Sequence, residues 1–231
     1  MIAIHQPEFM PWLGFFDKMM RADKYVIFDH VQFKKRYFEN RNRIKRDEQT
    51  VWLSAPVKTK GKYLQPINEV AIDNSTPWQK RMWETIRHGY SKSPYFSLFA
   101  EEIEQLIMKQ EYQMLMDFNL ACICWFRKVL TIENPVVFSS RLGVADYKAS
   151  DLIREICKRM DAQRYLCGPS GKDYLNEDDF RREGIEIVWQ EFQHPKYPQL
   201  SHEFTPYMSV LDLVFNCGLK SRDVIEGYHS G

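Results

Sequence analysis

Apolar residues fall along this chain in short runs that stop at polar loops, and between the runs lie longer stretches of helical spacing. Ile2 to Ile4 ends abruptly at His5-Gln6-Pro7, as a buried strand running into a loop does. Pro11 then precedes Trp12, Phe15, Phe16, Met19 and Met20, whose i, i+3, i+4, i+7, i+8 spacing predicts a helix with one apolar face. Tyr25 to Phe28 is a second buried run, with Asp29 and His30 at its carboxyl end. Strand, loop, helix and strand in about thirty residues make a βαβ unit, whose crossover is right-handed and whose strands are therefore parallel.

Val51 to Leu53 and Val70 to Ile72 are further strand candidates, separated by a Lys/Gly turn over residues 58–62. Thr76-Pro77 opens a helix to about Tyr90, and helical spacing returns over Ser97 to Met108 and Tyr112 to Leu130. These three predict a helical insertion, about 77–130, beside the sheet. Val136 to Phe138 restores a strand, and Ser150-Asp151 caps a helix bearing Leu152, Ile153, Ile156, Cys157 and Met160 on one face. Tyr165 to Cys167 is a strand that breaks into the small-residue turn Gly168 to Tyr174 and a helix over Leu175 to Arg182. Ile185 to Phe192 alternates as a strand, and Tyr207 to Asn216 is a short helix stopped by Gly218. The whole predicts an α/β protein: one domain, 1–231, with a mostly parallel, Rossmann-like sheet covered by helices on both faces.

Composition narrows the function classes. Among 231 residues the formal net charge is +1, so attraction to nucleic acid or anionic lipid would have to come from a local patch. Residues 34–46 supply one, with Lys34, Lys35, Arg36, Arg41, Arg43, Lys45 and Arg46 against the single acid Glu39. The patch is compact, which favours a small anionic ligand over the several phosphates of a stable nucleic-acid complex. Five cysteines without CxxC pairs fit neither a disulfide framework nor a zinc ribbon. No leader-like start and no long apolar run is present, so a cytoplasmic protein with no membrane insertion is expected.

In an open parallel sheet, ligands bind beyond the carboxyl ends of the strands where the strand order reverses. The residues just past each strand are therefore the candidates: His5 and Gln6, Asp29 and Gln32, Lys172, Asp173 and Tyr174, and His194. An imidazole exchanges protons near neutral pH, so His5 suits a general base or acid, with Asp29 on the neighbouring strand to orient it. Each also fits a structural role, as a hydrogen-bonded histidine and a cap. Lys35, Arg36, Asn40 and Arg43 combine planar or point cations with an amide and suit a phosphorylated substrate. If that segment is helical, Arg36, Asn40 and Arg43 share a face. A solvated basic face is the alternative. Ser209 and Asp212 on the last helix can reach the site or merely cap and solvate it.

Three blocks carry a resemblance: His5-Gln6-Pro7-Glu8-Phe9-Met10-Pro11-Trp12-Leu13-Gly14-Phe15-Phe16-Asp17-Lys18, Asp29 to Arg36, and Asn40-Arg41-Asn42-Arg43-Ile44. With weaker positions at Gly168, Tyr174, His194 to Gln199, including Tyr197, and Ser209 to Asn216, the chain resembles the WbqC-like family over nearly its whole length. That resemblance implies work on a sugar nucleotide or amino sugar in bacterial O-antigen and surface-polysaccharide assembly. The expected reaction is acyl or aminoacyl transfer to a nucleotide-linked amino sugar, from a thioester or ester donor supplied by an acyl carrier protein or aminoacyl donor, with no metal needed and no cofactor assigned. An ATP-dependent amide ligase or nucleotidyltransferase, and a sugar-nucleotide-binding scaffold, are the alternatives. The order of strand, His-containing loop, helix and strand, with Gly171-Lys172-Asp173-Tyr174 late in the chain, is also distantly similar to pantothenate synthetase. The second histidine of that family's HxGH motif has no match after His5, so this similarity implies a fold rather than ATP use.

Overall fold

The computed structural model describes residues 1–109 and 111–227, so the last four residues of the domain expected over 1–231 lie outside the described residues. In chain order the strands are β1 (Ile2–His5), β2 (Lys24–Ile27), β3 (Arg41–Arg46), β4 (Gln49–Ser54), β5 (Val136–Phe138), β6 (Arg164–Cys167) and β7 (Glu186–Trp189). Five of them, in the order β5-β2-β1-β6-β7, form one sheet whose pairings are all parallel. The helices are α1 (Leu13–Arg21), α2 (Trp78–Tyr90), α3 (Phe96–Met108), α4 (Leu115–Val129), α5 (Ala149–Arg159), α6 (Glu177–Arg182), α7 (Val210–Cys217) and α8 (Ser221–Glu226). The protein is thus an α/β fold with a Rossmann-like parallel sheet flanked by helices, and α2 to α4 occupy the expected helical insertion.

Burial on both faces explains why the strands read as unbroken apolar runs. Ile2 and Ile4 of β1, Val26 of β2, and Tyr165 and Cys167 of β6 enter one hydrophobic cluster with Leu152, Ile153 and Ile156 of α5 and Phe180 of α6. Their neighbours Ala3, Tyr25, Ile27 and Leu166 enter the opposite cluster with Phe15, Phe16 and Met19 of α1, and with the buried faces of α2, α3, α4 and α7. Successive side chains on a strand point to opposite faces, so each strand feeds both cores.

Two expectations are corrected. The basic segment is not helical: residues 41–46 are β3, paired antiparallel with β4 so that Arg46 faces Gln49 across Asp47-Glu48. Asn42 and Ile44 are buried while Arg41 and Arg43 are half-exposed, the alternation of a strand. Arg36, Asn40 and Arg43 therefore share no helical face. Val70 to Ile72 is likewise no ladder strand. Its backbone is divided between two partners, with Lys58 N donating to Ala71 O at 2.9 Å and Leu115 N to Val70 O at 2.9 Å, which leaves only isolated bridges. Helix starts also move slightly. Pro77 is the N-cap of α2 and Lys148 that of α5, while Ser150 Oγ instead accepts from Asn176 N at 3.0 Å.

Candidate functional site

The chain travels from β1 outward through β2 to β5, then returns across the sheet to β6 and β7, so the strand order reverses between β1 and β6. At that reversal, beyond the carboxyl ends of the strands, lies a cavity of about 400 Å³. The end of β1 supplies His5, Gln6 and Glu8, the end of β6 supplies Cys167, Gly168 and Ser170, and the end of β7 supplies Gln190. Trp12, the N-cap of α1, and Lys18 within that helix enter from one side, Arg43 from β3, and Tyr37, Phe38, Tyr174 and Tyr207 complete a largely aromatic wall.

Local backbone arrangements position these groups. Gly14 is required because a Cβ there would sit 2.2 Å from the Trp12 ring, which folds over the start of α1. Ser209 N donates to Arg43 O at 2.8 Å and Val210 N to Pro11 O at 2.8 Å, which ties the start of α7 to β3 and to the loop after β1. Arg43 Nη2 donates to Tyr207 O at 3.1 Å, while its Nε is buried with no partner among the described residues. Lys18 comes close to the Gly168 turn: a Cβ on Gly168 would lie 3.3 Å from Nζ. Gln190 braces α1 from the sheet, its Nε2 donating to Gly14 O at 2.8 Å and to Asp17 Oδ2 at 2.6 Å.

The titratable groups here are pushed away from their ordinary values. His5 Nδ1 lies 3.1 Å from the Gln6 carbonyl oxygen, which can only accept, so Nδ1 carries the proton and Nε2 keeps a free lone pair. Desolvation, helped by the nearby Lys18 charge, lowers His5 to about 3. Its Nε2 faces Glu8 Oε1 at 3.8 Å. Burial raises Glu8 to about 8, and the neighbouring Glu39 carboxyl adds to the rise. Burial also raises Glu39 to about 7, against the opposing effect of backbone amides and Lys34. The Lys18 ammonium is lowered by burial, although Cys167, Glu8 and Asp17 act to hold its proton. Glu8 Oε2 and Glu39 Oε2 are buried without a hydrogen-bond partner among the described residues. At neutral pH the cavity thus holds a neutral imidazole with a free Nε2 beside a protonated carboxylic acid.

The predicted site residues divide. His5, Gln6, Arg43 and Tyr174 line the cavity, and burial raises the Tyr174 phenol to about 12. Asp29 does not pair with His5. Its Oδ1 accepts from Ser139 Oγ at 2.9 Å and Ser140 N at 2.9 Å, its Oδ2 from Ser140 Oγ at 2.6 Å, and it is 2 % exposed, so it clamps the turn after β5. Gln32 is not in this cavity either. Its Nε2 donates to Tyr63 O at 2.8 Å, and with Lys35 it lines a separate cleft. The expectation that His5, Asp29, Gln32 and Arg43 border one cleft is therefore corrected to His5 and Arg43 alone. Arg36 sits in a turn at φ 62, its carbonyl accepting from Arg41, and Asn40 Nδ2 donates to Ala55 O at 3.0 Å. Lys172 lies 5.4 Å from the Trp189 ring, and Asp173 is exposed beside it. His194 packs among Phe192, Tyr197, Phe204 and Tyr207, and Tyr197 donates to Asp212 Oδ2 at 2.8 Å.

Sequence reasoning missed Glu8, Lys18 and Gln190. Asp17 and Lys18 fall off the apolar stripe of α1, yet both are buried because the end of β7 closes over that side of the helix. Glu8 lay within the first resemblance block, but no spacing rule marks an acid three residues after a histidine as its cavity neighbour.

Residues 6–224 match the WbqC-like protein family, and the chain belongs to that family. It is 31% identical over 225 residues to an uncharacterized protein of Mycobacterium tuberculosis, which covers 97% of this chain and 96% of that one. No solved structure gives a significant match.

Proposed function

For this member of the WbqC-like family we propose transfer of an acyl or aminoacyl group to the amine of a nucleotide-linked amino sugar, in surface-polysaccharide (O-antigen) biosynthesis. The observation that carries the reading is the cavity at the strand-order reversal, where the free Nε2 of His5, the Glu8 carboxylic acid and the Arg43 guanidinium converge. A strand-order reversal is where parallel α/β sheets take nucleotides, and the aromatic wall offers faces for a base or sugar ring. Arg43 holds phosphate through the terminal N–H groups of its guanidinium that Tyr207 O leaves free.

The chemistry needs no metal. The sugar amine attacks the carbonyl carbon of a thioester or ester, the new C–N bond forms as the carbonyl pair moves to oxygen, and His5 Nε2, whose proton affinity the bound diphosphate raises from its low value in the free protein, takes the proton released by the attacking nitrogen. Lys18 Nζ stabilises the oxyanion. Collapse re-forms the carbonyl and breaks the bond to the leaving sulfur or oxygen, which takes its proton from Glu8; the imidazolium then returns a proton to the carboxylate.

Incubation of the purified protein with UDP- and dTDP-amino sugars and a panel of acyl and aminoacyl donors, followed by mass spectrometry, tests this. The expected product gains the acyl mass. A panel with no mass gain sinks the reading, and release of pyrophosphate from added ATP would replace it with a ligase.

A further inference from the structure

A second cleft, about 530 Å³, lies between the loop after β2 and the loop after β4. Lys34, Lys35, Lys60 and Lys62 line it, and its lining contains no carboxylate. None of these four ammonium groups forms an ion pair among the described residues. The two basic loops are held side by side by the backbone, with Phe33 N donating to Gln65 O at 3.0 Å and Ile67 N to Val31 O at 2.9 Å. Gln32 Nε2 adds a bond to Tyr63 O at 2.8 Å. Lys34 has Glu39 and the Tyr37 ring within electrostatic reach, but four like charges fixed together repel one another, so the cleft as a whole favours a partner that brings negative charge.

The form of the cleft indicates what brings that charge. A small anion is held by converging buried donors, whereas these lysines stand on open loops beside Tyr63, which is 85 % exposed, and Leu64, which is 80 % exposed. Large apolar side chains displayed next to cations that form no ion pair among the described residues suit a protein surface that is acidic and partly apolar. The cleft also adjoins the reaction cavity. Tyr37 and Phe38 line the cavity, Lys34 and Lys35 line the cleft, and Lys34 Nζ lies 5.3 Å from the Tyr37 ring, so segment 33–38 is a shared wall.

We propose that this lysine cleft docks an acidic carrier protein, which presents the acyl group on its flexible thioester arm over the Tyr37 wall and into the cavity. The inference rests on the transferase reading for the identity of the carrier. Its test is a binding measurement that requires no turnover. Fluorescence anisotropy with labelled holo acyl carrier protein should show saturable binding at low salt. The double variant Lys60→Glu/Lys62→Glu should weaken it by roughly tenfold or more while leaving the UDP-sugar titration unchanged, and about 0.5 M salt should weaken carrier binding likewise. Absence of carrier binding, equal binding by the variant, or tighter charge-dependent binding of anionic vesicles or an RNA oligonucleotide would overturn the proposal. Transfer from small thioesters without carrier binding removes the docking surface alone. Carrier binding without transfer from any donor removes the transferase reading and keeps an acidic-protein surface.

Discussion

Two buried carboxyl groups in this molecule sit in opposite circumstances. Asp212, on α7, accepts from Tyr90 OH at 2.8 Å, Tyr197 OH at 2.8 Å and Gln199 Nε2 at 2.7 Å, with Lys45 nearby. Burial raises its carboxyl while those donors pull it back down. Glu8, at the strand-order reversal, has one oxygen 3.8 Å from His5 Nε2 and the other with no partner among the described residues. A carboxyl whose lone pairs are filled by neighbouring elements fastens those elements together. One left short of partners, and facing a cavity, retains capacity for a ligand or a proton. By the same standard Asp29, filled by Ser139 and Ser140, belongs with Asp212.

The sharpest way to break this contrast is to remove one member of each cluster. His5→Ala should lower kcat/KM in the amine-acylation assay by about 10²–10⁴-fold, the range for loss of a positioned acid or base, with an unchanged urea midpoint. Unaltered turnover would remove His5 from the chemistry. Asp212→Ala should do the reverse, costing about 3–5 kcal/mol in urea denaturation, because two buried tyrosine hydroxyls and an amide lose their acceptor together. A loss below about 1 kcal/mol, the size of one ordinary hydrogen bond, would show that the cluster is not a fastening.

Arg43→Ala should weaken calorimetric binding of UDP- or dTDP-sugars by about 1.5–3 kcal/mol, as for a lost charge-assisted hydrogen bond. Equal affinities would take Arg43 out of the site.

The smallest effect concerns pH. Glu8 keeps its proton to about pH 8 when folded, against an ordinary carboxyl value of 4.5. Between those values the folded chain binds the extra proton, so stability falls as pH rises. Glu39, raised to about 7, acts in the same direction. His5, lowered to about 3 from 6.5, adds stability only as pH rises through 3 to 6.5. Glu8 and Glu39 therefore pull the thermal midpoint down between pH 6.5 and 8, the buried Lys18 amine, lowered from its ordinary value, acts the other way, and Glu8→Gln should shift the slope of the native profile in the positive direction in a fluorimetric melt series. Parallel profiles for the two proteins would place the Glu8 carboxyl in an ordinary environment.

The βαβ opening, the parallel sheet, the helical insertion and the position of His5 at a strand end were all legible in the sequence, because strand burial and helix amphipathicity are local patterns that period-2 and period-3.6 spacing report directly. So was Arg43, although its backbone was not: cationic side chains alternate with Asn42 and Ile44, and that short pattern is open to either period until β4 pairs with it. What only the tertiary structure decided is which polar residues are alone together. Spacing could not distinguish Asp29, filled by a turn 110 residues away, from Glu8, left unfilled three residues after His5. Nor could it place Lys18, whose side of α1 is polar by periodicity and closed off by Gln190 at 173 residues' remove from Asp17. The shift of a buried group depends on solvent exclusion and on charges brought together by folding, and both are sums over elements far apart in the chain.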